Sequence, residues 1–240
     1  MAETTVAAAS TPAPMNVFAR FIGIVTSPRS TFESVAAHPK WLGMLCVTVV
    51  LSAFAAALPM STEAGQQAAL DQQISAMESF GFQVNDEMYA QMQKRATTLP
   101  YTTAAGVLIS APVMTLVISG IFFAVFNAAM GGNARFKQLF AVIVHSGVIS
   151  TVGQLFSGPI NYFRGSMSST TSLGALLPML DEKSFIGRLA GMADIFIIWG
   201  IIITAMGLAV LYRRRTQPIA TTLLAIYGVI ALGIALYMSR

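Results

Sequence analysis

Hydrophobic residues gather in five long runs after position 40, at 41–58, 103–130, 139–156, 189–212 and 219–237. A helix needs about 20 apolar residues to cross a hydrocarbon core about 30 Å thick, and each run is near or above that length. Together they hold one acid, Asp194, and one histidine, His145, but no lysine or arginine. The pattern predicts an all-α polytopic membrane protein with five transmembrane helices in a domain covering 41–240.

The segment before the first run has a different pattern. Met15, Phe18, Phe21, Ile22 and Val25 recur at helical spacing, with Asn16 and Arg20 off that face. This predicts an amphipathic helix lying in the membrane interface. Ser27-Pro28 ends it, and Ser30 with Glu33 offers a capping box for a second short helix reaching about Ala37. Residues 15–40 therefore read as interfacial helices on the cytoplasmic side, an anchor or a partner-docking surface. Residues 1–14 lack a basic start and an apolar run, and predict a disordered tail rather than a cleavable signal.

Two long connections have structure of their own. In 59–102, Leu70, Ile74 and Met77 form one helical stripe closed by Phe80-Gly81. Asn85-Asp86-Glu87 starts a second helix, with acids at the positive end of its dipole, and Pro100 stops it. This predicts an external helical hairpin, whose methionines read as packing rather than as copper ligands. The connection 157–188 opens on a turn at Ser157-Gly158-Pro159. It continues through a Ser/Thr-rich stretch and a short apolar helix carrying Leu173, Leu176, Leu177 and Leu180, and Ser184 is placed to cap the fourth span.

Composition agrees: hydrophobic residues make up 55% and charged residues 10%, against about 25% charge in a soluble domain. Charge fixes the threading. Arg135, Lys137 and Arg213-Arg214-Arg215 lie in tight connections, whereas the long connections carry most of the acids. Cationic short loops stay inside, so the N-terminus is predicted cytoplasmic and the C-terminus external. The net charge of +4 belongs to this asymmetry, and no basic-aromatic stripe points to nucleic acid.

Ionisable residues at membrane depth are functional candidates. His145 is six residues from the inner end of its run and Asp194 five from the outer end of its own. At 1.5 Å per residue each lies about 8–9 Å deep, from opposite faces, leaving about 13 Å between them in depth. A direct pair is not expected. His145 is predicted neutral and bonded to a neighbouring helix, with Asp194 reaching the outer interface; the rival use is a proton or ion path. Pro112 should kink the second run, with Ser110, Thr115 and Ser119 near the freed carbonyls. Small residues four apart, such as Ser146/Ser150 and Gly147/Thr151, predict close helix packing. Cys46, the sole cysteine, permits no internal disulfide and reads as packing. One cysteine and two histidines supply no zinc set. No phosphate-binding loop or nucleophile elbow is present. No catalytic, cofactor-binding or metal residue is assigned.

Three segments carry a family resemblance: Pro28-Arg29-Ser30-Thr31-Phe32-Glu33 with Pro39-Lys40-Trp41; Gly131-Gly132-Asn133-Ala134-Arg135-Phe136-Lys137-Gln138-Leu139; and Asp194-Ile195-Phe196-Ile197-Ile198-Trp199. In this order and spacing the chain resembles the bacterial branch of the Yip domain family over roughly 17–215. The motif residues carried over are Pro28, Phe32, Trp41, Gly131, Gly132, Phe136 and Trp199. The resemblance implies five spans with a cytoplasmic N-terminus, in the cytoplasmic membrane of a bacterium. Eukaryotic members are linked to membrane traffic with prenylated GTPases as partners, and carry an Asp-Leu-x-Gly-Pro type motif that this chain lacks.

The reading that follows is a non-catalytic membrane protein, not an enzyme, that binds partners or organises the membrane. Its partners would be the lipid bilayer and a protein partner or a second copy of the chain, with no cofactor and no nucleic acid. The alternative is a small transporter or channel using His145 and Asp194, with Pro112 as its kink.

Overall fold

Asn16 starts the first helix: its Oδ1 accepts the Ala19 N–H at 2.7 Å, satisfying one of the donors a helix start leaves open. The computed structural model describes residues 13–177, 179–181 and 184–238. Most of the tail expected to be disordered, along with Glu182, Lys183 and the last two residues, therefore lies outside the described residues.

The described chain is helical. Helices α1 (Val17–Thr26) and α2 (Pro28–Ala37) form a hairpin, followed by α3 (Leu42–Ala57), α4 (Glu63–Ser79) and α5 (Asp86–Arg95). Helix α6 (Leu99–Phe123) runs on into a π-helical turn, Ala124–Ala129. Then come α7 (Phe136–Ser146), α8 (Val148–Arg164), the short α9 (Leu173–Leu176) and α10 (Phe185–Met192), α11 (Ile195–Leu211) and α12 (Thr216–Met238). Among the described residues, three helical runs are long and apolar enough to cross a membrane: Asp86–Ala129, Phe136–Arg164 and Thr216–Met238. Val17–Thr26, Leu42–Ala57 and Ile195–Leu211 are shorter apolar helices.

The run Phe136–Arg164 is the axis of the bundle and the most buried of the three. Small residues set its neighbours. A Cβ added at Gly153 would meet Phe196 at 2.8 Å, Gly200 lies against Ile149, and a Cβ at Gly207 would come within 2.6 Å of Val142. Helix α11 thus lies antiparallel along α7 and the first half of α8. Helix α3 runs parallel to them: Trp41 meets Phe140 edge-on at 5.1 Å, Ser52 shares a hydrogen bond with Thr151 at 3.1 Å, and Gly158 sits against the Ala55 carbonyl. Such contacts bring backbones together where no hydrophobic force separates helix from lipid. Helix α6 packs on α3 and α7, and α12 on α11 and α10. Both leave long apolar faces bare, with Ile109 70% and Val229 71% exposed.

The α1–α2 hairpin stands upright instead of lying across the end of the bundle. Val17 touches Gly43, Gly23 faces Thr31, and Phe32 reaches Gly207 beside Val142. Gln138 donates to the Ala36 carbonyl at 3.0 Å. Helix α2 therefore runs antiparallel to α7, and the hairpin tip at Ser27-Pro28 comes level with about the tenth residue of α7. Phe18 and Ile22 stay exposed, as their stripe predicts, but Arg20 on the opposite face is 2% exposed. Arg20 faces protein rather than water.

Other elements also depart from expectation. Ser27, not Ser30, precedes α2, because Pro28 fits the first helical position with its fixed φ and missing N–H; the Ser30 hydroxyl donates back to Ser27 O. The expected turn at Ser157-Gly158-Pro159 is helix. Proline removes only one backbone bond, and Gly158 is held against α3, so α8 continues to Gly165, a left-handed residue at φ 58° of the kind that closes helices. The fourth apolar run breaks at Ala193 into α10 and α11. Cys46 is exposed on α3 rather than packed. Asn85 does accept the Met88 N–H at 2.8 Å, and Gln67 of α4 reaches the Tyr89 hydroxyl of α5 at 3.4 Å; but Met88 stays exposed, and Pro100, expected to stop this helix, sits in the first turn of α6, a position that needs no N–H.

Candidate functional site

Helix α7 ends and α8 begins around Gly147, where the N–H still reaches Ile143 O at 3.1 Å. Beside this break lies a cavity of about 800 Å3. Helices α3, α7, α8 and α11 form its floor, while α6 and α12 stand on either side and pack against other neighbours. The cavity is thus a cleft open sideways between α6 and α12. Its apolar walls include Val107, Met114, Ile118, Leu223, Ile226 and Ile230. Its floor carries small polar groups, among them Thr48, Ser52, Ser146, Ser150, Thr151 and Gln154. Among the described residues, none that lines it is charged.

Most of the floor hydroxyls are spent on their own helices. Thr48 donates to Met44 O at 2.9 Å, Ser146 to Val142 O at 3.0 Å and Thr204 to Gly200 O at 2.8 Å. Such back-bonding satisfies a hydroxyl without a neighbour. Tyr227 of α12 donates to Met192 O at 2.6 Å, a carbonyl at the end of α10 that also accepts the Asp194 N–H at 2.9 Å, and so ties α12 to the rim. Among the described residues, the side chains of Ser110, Ser150 and Gln154 line the cleft without a hydrogen bond.

His145 is fully buried and lies outside the cleft lining. Its Nδ1 is 2.7 Å from Ala141 O. A carbonyl only accepts, so Nδ1 carries the hydrogen, and in the neutral ring Nε2 is then an acceptor. It bonds within its own helix, not to a neighbour as expected, and Nε2 has no partner. Arg20 stands within electrostatic reach. Its Nη2 donates to His38 O at 3.0 Å and its Nη1 to Lys40 O at 3.3 Å, leaving Nε unpartnered. The buried arginine thus satisfies carbonyls where α2 ends, at the negative pole of that helix.

Asp194 is not inside a helix. It caps α11, its Oδ1 accepting the N–H groups of Phe196 at 2.8 Å and Ile197 at 3.3 Å. Its Oδ2 accepts Ser169 at 2.9 Å and the Thr171 hydroxyl. Backbone pairing with Ser172 pins the loop alongside. By the register of α11 on α8, Asp194 and His145 stand about 15 Å apart along the bundle. The structure brings them neither together nor into the cleft, and a path through both has no support in this geometry.

The other sequence-predicted residues hold the frame. Pro112 lies inside α6, and the nearby hydroxyls of Thr115 and Ser119 bond to Ala111 O and Thr115 O. Pro28 begins α2, Phe32 is fully buried, and Trp41 packs on Phe140. Gly131 turns at φ 67°, and Gly132 leaves 2.6 Å between a would-be Cβ and the Tyr212 ring. Tyr212 stacks on Phe126 at 4.9 Å and donates to Asn127 Oδ1 at 2.6 Å. Asn127 in turn donates to Ala134 O at 2.7 Å. Phe136 contacts Phe123 and Phe140, and half-buried Trp199 leans on Phe196. The motif residues are thus packing and turn positions. Sequence reasoning passed over Ser150 and Gln154 as site residues, and the signal was there: with Ser146 they stand four apart on one helical face.

Comparison with known proteins adds a family. The model of the Yip1 domain matches residues 22–238, from within α1 to the end of α12. Membrane protein YknW of Bacillus subtilis (strain 168) is 23% identical over 189 residues, covering 78% of this chain and 75% of that protein. No solved structure matches significantly.

Proposed function

The chain belongs to the Yip1 domain family, and from that premise we propose that it is a non-catalytic integral membrane protein that binds partners or organises the bilayer. It crosses the bacterial cytoplasmic membrane five times, through α3, α6, the α7–α8 run, α11 and α12, with its N-terminus inside and its C-terminus outside. The alternating directions of these helices and the bare apolar faces of α6 and α12 support that count. The cationic turns at Arg135, Lys137 and Arg213–Arg215 support the orientation.

One observation carries the functional reading: among the described residues the lining of the large cleft is uncharged, it opens toward where lipid would lie, and it leaves out Arg20, His145 and Asp194. Its occupants therefore arrive from the bilayer. A nitroxide attached at Ser150, in a Cys46→Ser background reconstituted into vesicles, tests this. The expected result is strong relaxation by dissolved oxygen and none by a water-soluble nickel chelate. Relaxation by the chelate would mean an aqueous cavity and overturn the reading.

A further inference from the structure

We propose that the cleft between α6 and α12 is a binding site for a neutral lipid whose polar end carries hydroxyl or carbonyl groups, of the diacylglycerol or prenol type. The inference deepens the side-opening reading above and rests on it.

Depth comes first. Ser150 stands at the middle of the 29-residue run Phe136–Arg164, and Gln154 lies one turn beyond it on the same face. In the bilayer this places a free carboxamide and a free hydroxyl near the centre of the hydrocarbon. Ser110, close to the midpoint of α6, adds a second hydroxyl from the side wall. Polar groups left unpaired in such surroundings are costly. Acyl chains offer them nothing, so an occupant able to hydrogen bond is favoured over bulk lipid tails.

Charge decides the class of occupant. Among the described residues the lining holds no lysine, arginine, histidine, aspartate or glutamate. A phosphate or ammonium headgroup drawn to this depth would arrive without a counter-charge, which its desolvation forbids. A neutral head meets no such barrier. Gln154 can both donate and accept, and the serines can do either, which matches a ligand bearing hydroxyl and ester or carbonyl oxygens.

Size favours a lipid over a protein helix. A cavity of about 800 Å3 falls among those that hold small molecules. A crossing helix about 10 Å wide and 30 Å long needs more than the middle of a bundle provides. The sideways opening gives an apolar tail a way out between α6 and α12 while the polar end stays on the floor.

The test uses the full chain in phosphatidylcholine vesicles with two photoactivatable lipids, a diacylglycerol and a phosphatidylglycerol, carrying the same diazirine chain. Diacylglycerol is expected to label cleft residues of α6, α8 and α12. Gln154→Leu should lower that labelling about ten-fold, and Ser150→Ala by a smaller factor, as one or two hydrogen bonds are lost. Phosphatidylglycerol should label the outer faces only, to an extent that neither variant changes; this constancy also shows that the variants remain folded. Equal labelling of the cleft by both lipids, insensitive to Gln154→Leu, would overturn the proposal while leaving the side-opening cleft intact. A nitroxide at Ser150 reached by the nickel chelate would instead remove the reading on which the proposal rests.

Discussion

Asp194 carries the work of a cap, and its replacement separates capping from chemistry. Its carboxylate accepts two N–H groups of α11 and two hydroxyls of the preceding loop. Asp194→Ala should lower stability by about 1–2 kcal/mol, the usual loss for an N-cap. Asp194→Asn keeps a capping oxygen and should lose less. Thermal unfolding of the purified variants checks the order, and equal losses would refute the capping role. Gly132 offers a steric counterpart. Any side chain there meets the Tyr212 ring and the Phe126 carbonyl, so Gly132→Val should cost about 1–3 kcal/mol through overpacking. Tyr212→Phe should cost about 1 kcal/mol, because Asn127 loses its donor while the ring stack remains. Asp194 and Gly132 sit in the family segments as structural parts, with Tyr212 packed against Gly132, and variants of all three should change stability before they change any binding.

At the scale of elements, the α1–α2 hairpin behaves as part of the core. Phe32 is fully buried against Gly207 and Val142, whereas Phe18 on the outer face of α1 is 75% exposed. Phe32→Ala should therefore cost about 3–5 kcal/mol and Phe18→Ala should leave unfolding unchanged. Similar effects from both would place the hairpin outside the bundle. The amphipathic stripe of α1 was legible in the sequence, but not what its other face meets. Periodicity gives the angle between faces and says nothing of whether the polar face meets water or protein. Arg20 is polar by type and buried by contact, because the carbonyls of His38 and Lys40 lie where its guanidinium can reach them. The same limit hid the break in the fourth run. Met192 and Ala193 carry no stop signal, so 189–212 reads as one hydrophobic run, although Asp is a preferred N-cap and marked the position. At Pro159 the error was opposite: a strong local breaker was overridden by the fit of Gly158 against α3. The cleft was the least legible part. Ser146, Ser150 and Gln154 showed a polar face, but only the stand-off of α6 from α12 makes it a site.

The molecule as a whole is built around an asymmetry that labelling can read. Arg135 and Lys137 crown one end of the bundle with Arg213–Arg215, while α4 and α5 stand at the other end, where Tyr237 of α12 meets Phe80. If the cationic end is cytoplasmic, a cysteine at Glu87 on α5 and one at Arg135 must differ in access. Cys46 has to be removed first, because it is exposed on α3 and would add a signal of its own. In a Cys46→Ser background, a membrane-impermeant maleimide added to intact cells should label Glu87→Cys and leave Arg135→Cys untouched until the cells are opened. The reverse pattern would invert the threading and keep the five crossings. Labelling of both positions in intact cells would mean an even number of crossings between them and would break the count. Because α6 is the only proposed span between positions 87 and 135, this pair tests that crossing directly. It also settles on which side the α1–α2 hairpin enters, since Gln138 ties Ala36 to the turn that contains Arg135.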